Sequence, residues 1–337
     1  MGRVVTPKLL DPATTRVSVV IPVFDGADFV AKAIESALTQ TFSPLEVIVV
    51  NDGSRDAAAL ARALKPFGNQ IVYLSQENRG VAAARNAAIQ IARGDLLAFL
   101  DADDAWFPDF LASQVAMMSR GRYDMVYANA LLSGDETFAG FTYMDTNPSS
   151  GTANLASLLA LRCHPIASGV VVRKELVVAA GLFNPILRRG EDFDLWVRLA
   201  RAGARIGYQR EVLLDYCVRP DSLSRSIAHP VESDLNVFLH IRANHPLPLR
   251  EAAVVDRQIQ RLRGTLEIER GKASLADRRY REAREHFRSA ATLVQSTKLW
   301  LVRVMALLTP ALLRRVYVRL QAGPTLRKRL AAASRWK

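Results

Sequence analysis

Four short apolar runs, each followed by a stretch with helical spacing, succeed one another from residue 17 to about residue 119. They are "VSVVIPVF" (17–24), "EVIVV" (46–50), "IVYLSQ" (71–76) and "DLLAFL" (95–100). After the first run, Val30, Ala33, Ile34, Ala37 and Leu38 recur at three- and four-residue intervals, which marks one face of a helix. Strand–helix alternation this dense leaves few folds open. Parallel strands need crossover connections, and the helices supply them. The pattern predicts an α/β domain with helices on both faces of a parallel sheet. Ligands of such sheets sit beyond the carboxyl ends of the strands. The polar loops "NDGS" (51–54) and "DADD" (101–104) both fall there.

From about residue 106 to 225 the alternation loosens. A helix is expected near 108–119, strands at "DMVYANALL" and "ASGVVVRKEL", a helix at "DFDLWVRLARAG" and a strand at "VLLDYCV". Past "HPVESD" (229–234) the pattern is helical throughout. The expected division is an α/β domain over 1–228, a helical hairpin region over 229–294 and a basic amphipathic tail over 295–337. In "RRYREAREHFRSAATL", Tyr280, Ala283, Phe287, Ala290 and Ala291 share a face, as in a tetratricopeptide-type helix. A stable array of such units takes about three, so one unit implies packing rather than a repeat module.

Charge is unevenly spread. The 337 residues carry a formal +12, yet His286–Lys337 holds eleven Lys or Arg and no acid. The basicity therefore belongs to the tail and not to the body. That argues against a nucleic-acid-binding body and for an anionic membrane surface as partner of the tail. "LWLVRVMALLTPALLRRVYVRL" (299–320) is interrupted by Arg303 and Pro310, which leaves it too short to span a bilayer. Two short helices lying on a membrane are expected, with Trp300 and Tyr317 at the interface. The competing reading is that they pack on protein. "MGRVVT" meets the loose N-myristoylation pattern at Gly2 and Thr6, a pattern short enough to match by chance. Two cysteines, Cys163 and Cys217, imply no disulfide framework and fit reduced thiols in a cytosolic setting.

Several clusters can carry chemistry. Asp101, Asp103 and Asp104 crowd a strand end, where like charges raise one another's pKa unless a cation sits among them. A carboxylate pair one residue apart can share a divalent ion and so neutralise a diphosphate. Asp104 before "AWFPDF" fits a helix N-cap. An Asp-nucleophile phosphatase, with Asp101 attacking, is a weaker rival, because its motif would follow the fourth strand. Asp52 either accepts the imide N–H of a nucleobase or stabilises a turn with Gly53. In "ENRGVAAARNAA", Asn78 and Gly80 precede a helix and Arg85 lies one turn in, placed to meet a phosphate or a base. Asp192, in "RRGEDFDLWVRLARAG", is either a cap on the helix dipole or a general base. Asp194 points elsewhere.

The four segments "VSVVIPVFDGADFVAKAIESALTQTFSPLEVIVVNDGSRD", "NRGVAAARN", "FLDADD" and "GEDFDLWVRLARAG" occur in one order with consistent spacing. Over about residues 16–225 the sequence resembles family 2 glycosyltransferases, an inverting group. The resemblance implies a GT-A-type, mixed and largely parallel sheet flanked by helices, here with an all-α C-terminal extension. It implies that Pro22 and Phe24 line the nucleotide base, that Asp52 recognises it, and that Asn78 and Arg85 lie near the nucleotide. By the same resemblance Asp103 binds a divalent cation (Mg²⁺ or Mn²⁺), and Asp101 shares the ion or faces ribose and donor sugar. Asp192 matches the base that deprotonates the acceptor hydroxyl.

Two departures follow. Where many non-processive members have His after the base, "YCVRPDSLS" keeps Tyr216, Ser222 and Ser224 but has Arg219, suited to a diphosphate and poor as a metal ligand. The Gln-x-x-Arg-Trp motif of processive synthases is missing; the one Arg-Trp pair, Arg335–Trp336, lacks the Gln. The expected protein is a non-processive, metal-dependent hexosyltransferase. It takes a nucleotide-diphosphate sugar and a glycan or lipid-linked acceptor at the cytoplasmic face of a membrane. A non-catalytic nucleotide-sugar-binding scaffold is the alternative.

Overall fold

The computed structural model describes residues 10–11, 13–219 and 230–322. Gly2, Thr6, Ser222, Ser224, Arg335 and Trp336 lie outside them. Two compact units divide the chain, Met1–Arg225 and Ser226–Lys337.

The first unit is built on an eight-stranded sheet. Its strands are β1 (Val17–Val23), β2 (Glu46–Asp52), β3 (Val72–Gln76), β4 (Leu96–Phe99), β5 (Ala105–Trp106), β6 (Met125–Ser133), β7 (Val170–Arg173) and β8 (Ile206–Cys217), in the order β3-β2-β1-β4-β7-β6-β8-β5. The β3-β2-β1-β4 half is parallel, as the strand–helix alternation predicts. β7 then runs antiparallel to both β4 and β6. The sheet is therefore mixed. β1 and β2 are buried along their whole length, which is why they hold the apolar runs Val19–Val23 and Val47–Val50 and not an alternating pattern.

Helices α1 (Val30–Leu38), α2 (Ala57–Leu64), α3 (Val81–Ile91) and α4 (Phe110–Gly121) follow in the first unit. The short α5 (Tyr143–Thr146), α6 (Leu155–Leu159) and α7 (Lys174–Ala179) come next, and then α8 (Glu191–Arg201). Two apolar clusters cover the two sheet faces. One gathers Val19, Ile21, Ile34 and Phe110; the other gathers Val20, Phe99, Phe183 and Trp196. Adjacent β1 residues fall in opposite clusters, as the two-residue period of a strand requires.

The second unit is helical: α9 (Pro230–Asn244), α10 (Leu249–Ala276), α11 (Tyr280–Leu293), α12 (Thr297–Leu308) and α13 (Pro310–Ala322). Its core joins Leu275, Ala283, Phe287, Ala290, Leu299, Ala306 and Leu313. Gly271 lies against the Phe287 ring, where an added Cβ would come within 2.7 Å. Pro310 starts α13, so the apolar stretch is two helices. Tyr317, expected beside Trp300 at the outer surface, instead packs against this core, and Trp300 stays 60% exposed. No described helix is long and apolar enough to cross a membrane.

Candidate active site

The carboxyl ends of the parallel strands carry the candidate residues. Strand register sets Asp52, the last residue of β2, beside Gln76, the last of β3. Gln76 Nε2 and the Arg79 N–H donate to Asp52 Oδ1 at 2.7 and 2.9 Å, and the Gly80 N–H donates to Oδ2 at 2.8 Å. A single buried carboxylate thus shapes the loop that leads into α3. Gly53 beside it has φ +73°, and a Cβ there would lie 2.6 Å from the Asn78 backbone nitrogen. Only glycine lets these two loops touch. The loop after β1 joins them: Asp25 pairs with Arg55 and takes its backbone N–H, while Ser54 Oγ accepts from the Asp25 N–H. Pro22 is buried inside β1, and Phe24 just beyond it is 47% exposed, with Asn78 also on the surface.

Arg85 is the surprise of the site. Expected beside a nucleotide, its guanidinium is buried and bridges two carboxylates. Nη2 donates to Asp101 Oδ1 and Nη1 to Glu191 Oε1, each at 2.7 Å. The cation also lies 5.3 Å from the Phe183 ring centre. Burial works against its charge, but Asp101, Glu191 and then Asp192 raise its pKa above the ordinary value. Its Nε finds no partner among the described residues.

Glu191 and Asp192 open α8 after Gly190, in the first turn, where the helix dipole favours anions. Asp192 is partly buried and accepts the Phe193 N–H at 2.7 Å. Burial first, then repulsion from Glu191, push its pKa up to about 7, against the pull of Arg85. Asp194 does a different job. It is fully buried and pairs with Arg198, which also donates to the carbonyls of Ala180 and Leu182, so that α8 is pinned to the segment after α7.

The DADD carboxylates separate into three environments. Asp101 and Asp103 keep side chains 35% and 30% exposed. Arg219 approaches Asp103 at 3.9 Å and stacks on Phe29, its guanidinium carbon 4.2 Å from the ring centre. Asp104 does not cap a helix, contrary to the sequence expectation, because α4 starts only after Asp109. It is buried, accepting Ser168 Oγ–H at 2.5 Å and the Cys217 N–H at 2.9 Å. Burial, then Asp101 and Asp103, hold its carboxyl well above the usual range. Ser168 Oγ in turn accepts the Asp101 N–H at 3.1 Å. Ser168 and Glu191 join the site beyond the residues to which the sequence assigns roles. Glu191 had a signal, being next to Asp192; Ser168 had none.

The half-exposed carboxylates of Asp101 and Asp103, with one residue between them, offer the hard oxygen donors that fit a divalent ion of the Mg²⁺ or Mn²⁺ kind. Residues 18–177 match the family model described as Glycosyl transferase family 2. The sheet-bearing unit is a family 2 glycosyltransferase domain. That membership displaces the phosphatase rival. The succinoglycan biosynthesis protein ExoU of Rhizobium meliloti (strain 1021) is 33% identical over 228 residues, 64% of this chain and 65% of its own. An uncharacterized glycosyltransferase of Rickettsia conorii (strain ATCC VR-613 / Malish 7) is 30% identical over 67% of this chain. The chain spans 38% of the length of that relative and of a similar one from Rickettsia felis. Two solved structures share the glycosyltransferase fold. TarS 1–349 of S. aureus in complex with UDP-GlcNAc superposes with TM-score 0.60 at 16% identity over 90% of each chain. The mannosyltransferase PcManGT of Pyrobaculum calidifontis, in complex with GDP-Man and Mn²⁺, does so with TM-score 0.60 at 19% identity, over 96% of this chain and 87% of its own.

Proposed function

We propose that the protein is an inverting, non-processive glycosyltransferase that moves a hexosyl group from a nucleotide diphosphate to a hydroxyl of a glycan or lipid-linked acceptor, in the synthesis of cell-surface polysaccharide. The observation that carries this reading is the Arg85 bridge. One buried cation holds Asp101, on the donor side, and Glu191, which starts the helix bearing Asp192. The nucleotide-sugar complexes of two proteins of like fold, and the succinoglycan role of ExoU, support the substrate class.

In this reading Pro22, Phe24, Asp52 and Asn78 frame the nucleotide, with Asp52 shaping the loop at Gly80 as well as facing the base. Asp103, with Asp101, would hold a divalent cation, which when bound offsets the charge of the departing diphosphate. Arg219 contributes a second positive charge on the same side. Asp192 takes the proton from the acceptor hydroxyl. The freed oxygen attacks the anomeric carbon opposite the diphosphate, whose C–O bond breaks with its electron pair, and configuration inverts. A carboxylate with a pKa near 7 is a stronger base than an ordinary one, and so suits proton removal from a hydroxyl.

The test is a panel of nucleotide sugars with Mn²⁺ and saccharide acceptors. Asp192→Asn should abolish transfer while nucleotide still raises the melting temperature. Full transfer by that variant would remove Asp192 as the base. Nucleotide binding with no transfer in the unaltered protein under any donor would favour the scaffold alternative.

A further inference from the structure

We propose that the outward face of α12 and α13 binds an anionic lipid bilayer. On α12 the helical repeat gathers Trp300, Leu301, Val304, Leu307 and Leu308 into one arc of about 120°. Leu299 and Ala306, on the other side, are buried in the core of the helical unit. An ordinary surface helix turns polar residues to water. This one turns out Trp300, Leu307 and Leu308, exposed by 60, 62 and 70%. Past Pro310, Leu312 and Val316 lie within about 40° of each other on α13 and are both exposed, beside the exposed Arg315 and Arg319.

Charge selects the occupant. The segment His286–Lys337, which contains both helices, has eleven Lys or Arg and no acid. A second copy docking through this face would bring two such segments together, and their repulsion opposes it. An acidic protein surface would meet the arginines but leave the tryptophan and leucines facing polar groups. The headgroup–acyl boundary of an anionic bilayer meets both needs at once: acyl chains for the apolar arc and lipid phosphates for the arginines. The break at Pro310 leaves helices of 12 and 13 residues, which suit lying in the plane of the interface and not crossing it. This surface is argued from its own residues and does not depend on the sugar-transfer reading.

The full-length protein should be floated with phosphatidylglycerol–phosphatidylcholine vesicles and with pure phosphatidylcholine vesicles, and its tryptophan emission followed. Binding to the anionic vesicles with a blue shift is expected, weakening as salt is raised. The double substitution Leu307→Ser/Leu308→Ser alters exposed side chains, so its circular dichroism should match the parent while vesicle binding falls at least about tenfold. Trp300→Phe should keep most of the binding and lose the blue shift, which places that face at the lipid. Equal flotation with neutral vesicles, or undiminished binding by the double variant, would overturn the proposal. So would lipid-free dimerisation that the double variant abolishes without any vesicle binding by the parent. Sugar transfer that persists without vesicle binding would leave the catalytic reading standing and sink this one alone.

Discussion

Asp192 feels two like charges, Glu191 and more weakly Asp101, and one opposite charge, Arg85, and its pKa stands near 7 because burial and the two carboxylates outweigh Arg85 and the Phe193 N–H. As a base it works only when ionised, so kcat/KM should climb with pH up to about 7 and level off above it. Stability should move the other way. The folded carboxyl keeps its proton to higher pH than the unfolded one, whose ordinary value is 3.8, so the native state loses stability as pH rises from 3.8 through about 7. Asp192→Asn should flatten that slope, which urea unfolding at several pH values would reveal. Arg85 makes a sharper prediction. Arg85→Met leaves Glu191 buried without its cation and should cost about 3 kcal/mol, toward the low end for a broken buried pair because Asp101 is partly exposed. Adding Glu191→Gln should recover part of the stability but not the transfer rate, since Asp101 and α8 stay uncoupled. The residue types at 85, 101 and 192 were legible in the sequence, and their order and spacing pointed to one site. That Arg85 serves the carboxylates was hidden, because an arginine one turn into a helix looks the same whether it meets a phosphate or a glutamate from a distant segment.

Among the elements, β1, β2, β4 and the neighbouring helices announced themselves through apolar runs and helical periodicity, because burial on both sheet faces leaves these strands little room for polar alternation. β5 did not. Two residues, Ala105 and Trp106, make a strand only because β8 supplies the hydrogen-bonding edge. The same distant strand explains Asp104, whose acceptors are filled by Ser168 and the Cys217 N–H and not by a helix start. Local sequence carries no mark of partners that far away. The loops at the strand ends predict a further result. Gly53→Ala forces a side chain onto a φ of +73° and against the Asn78 nitrogen, and should destabilise the unit by about 1–3 kcal/mol. Because that contact sets the 77–80 loop, nucleotide affinity measured by calorimetry should fall with it, while Gly68→Ala, which meets no neighbour, should leave affinity unchanged.

At the scale of the whole molecule, composition was informative only once it was partitioned: a total of +12 says little, and its concentration after Glu285 says much. The helical unit has its own core, so Phe287→Ala, which empties a site only 2% exposed, should cost about 3–5 kcal/mol and lower the urea midpoint of the helical signal. The sheet-bearing unit differs in how far apart its joined residues lie. Arg85 and Glu191 are 106 residues apart, and Asp104 and Cys217 are 113. Chains leave the ribosome from the amino terminus, and loops this long close late because their closure entropy must be met first. The four parallel strands can pair while the site does not yet exist. Until Glu191 and Cys217 emerge, the nascent chain carries Arg85 and Asp104 each short of one partner it holds in the native state. A nascent or truncated chain ending before them is a sheet with an incompletely paired site, a natural substrate for chaperones and proteases.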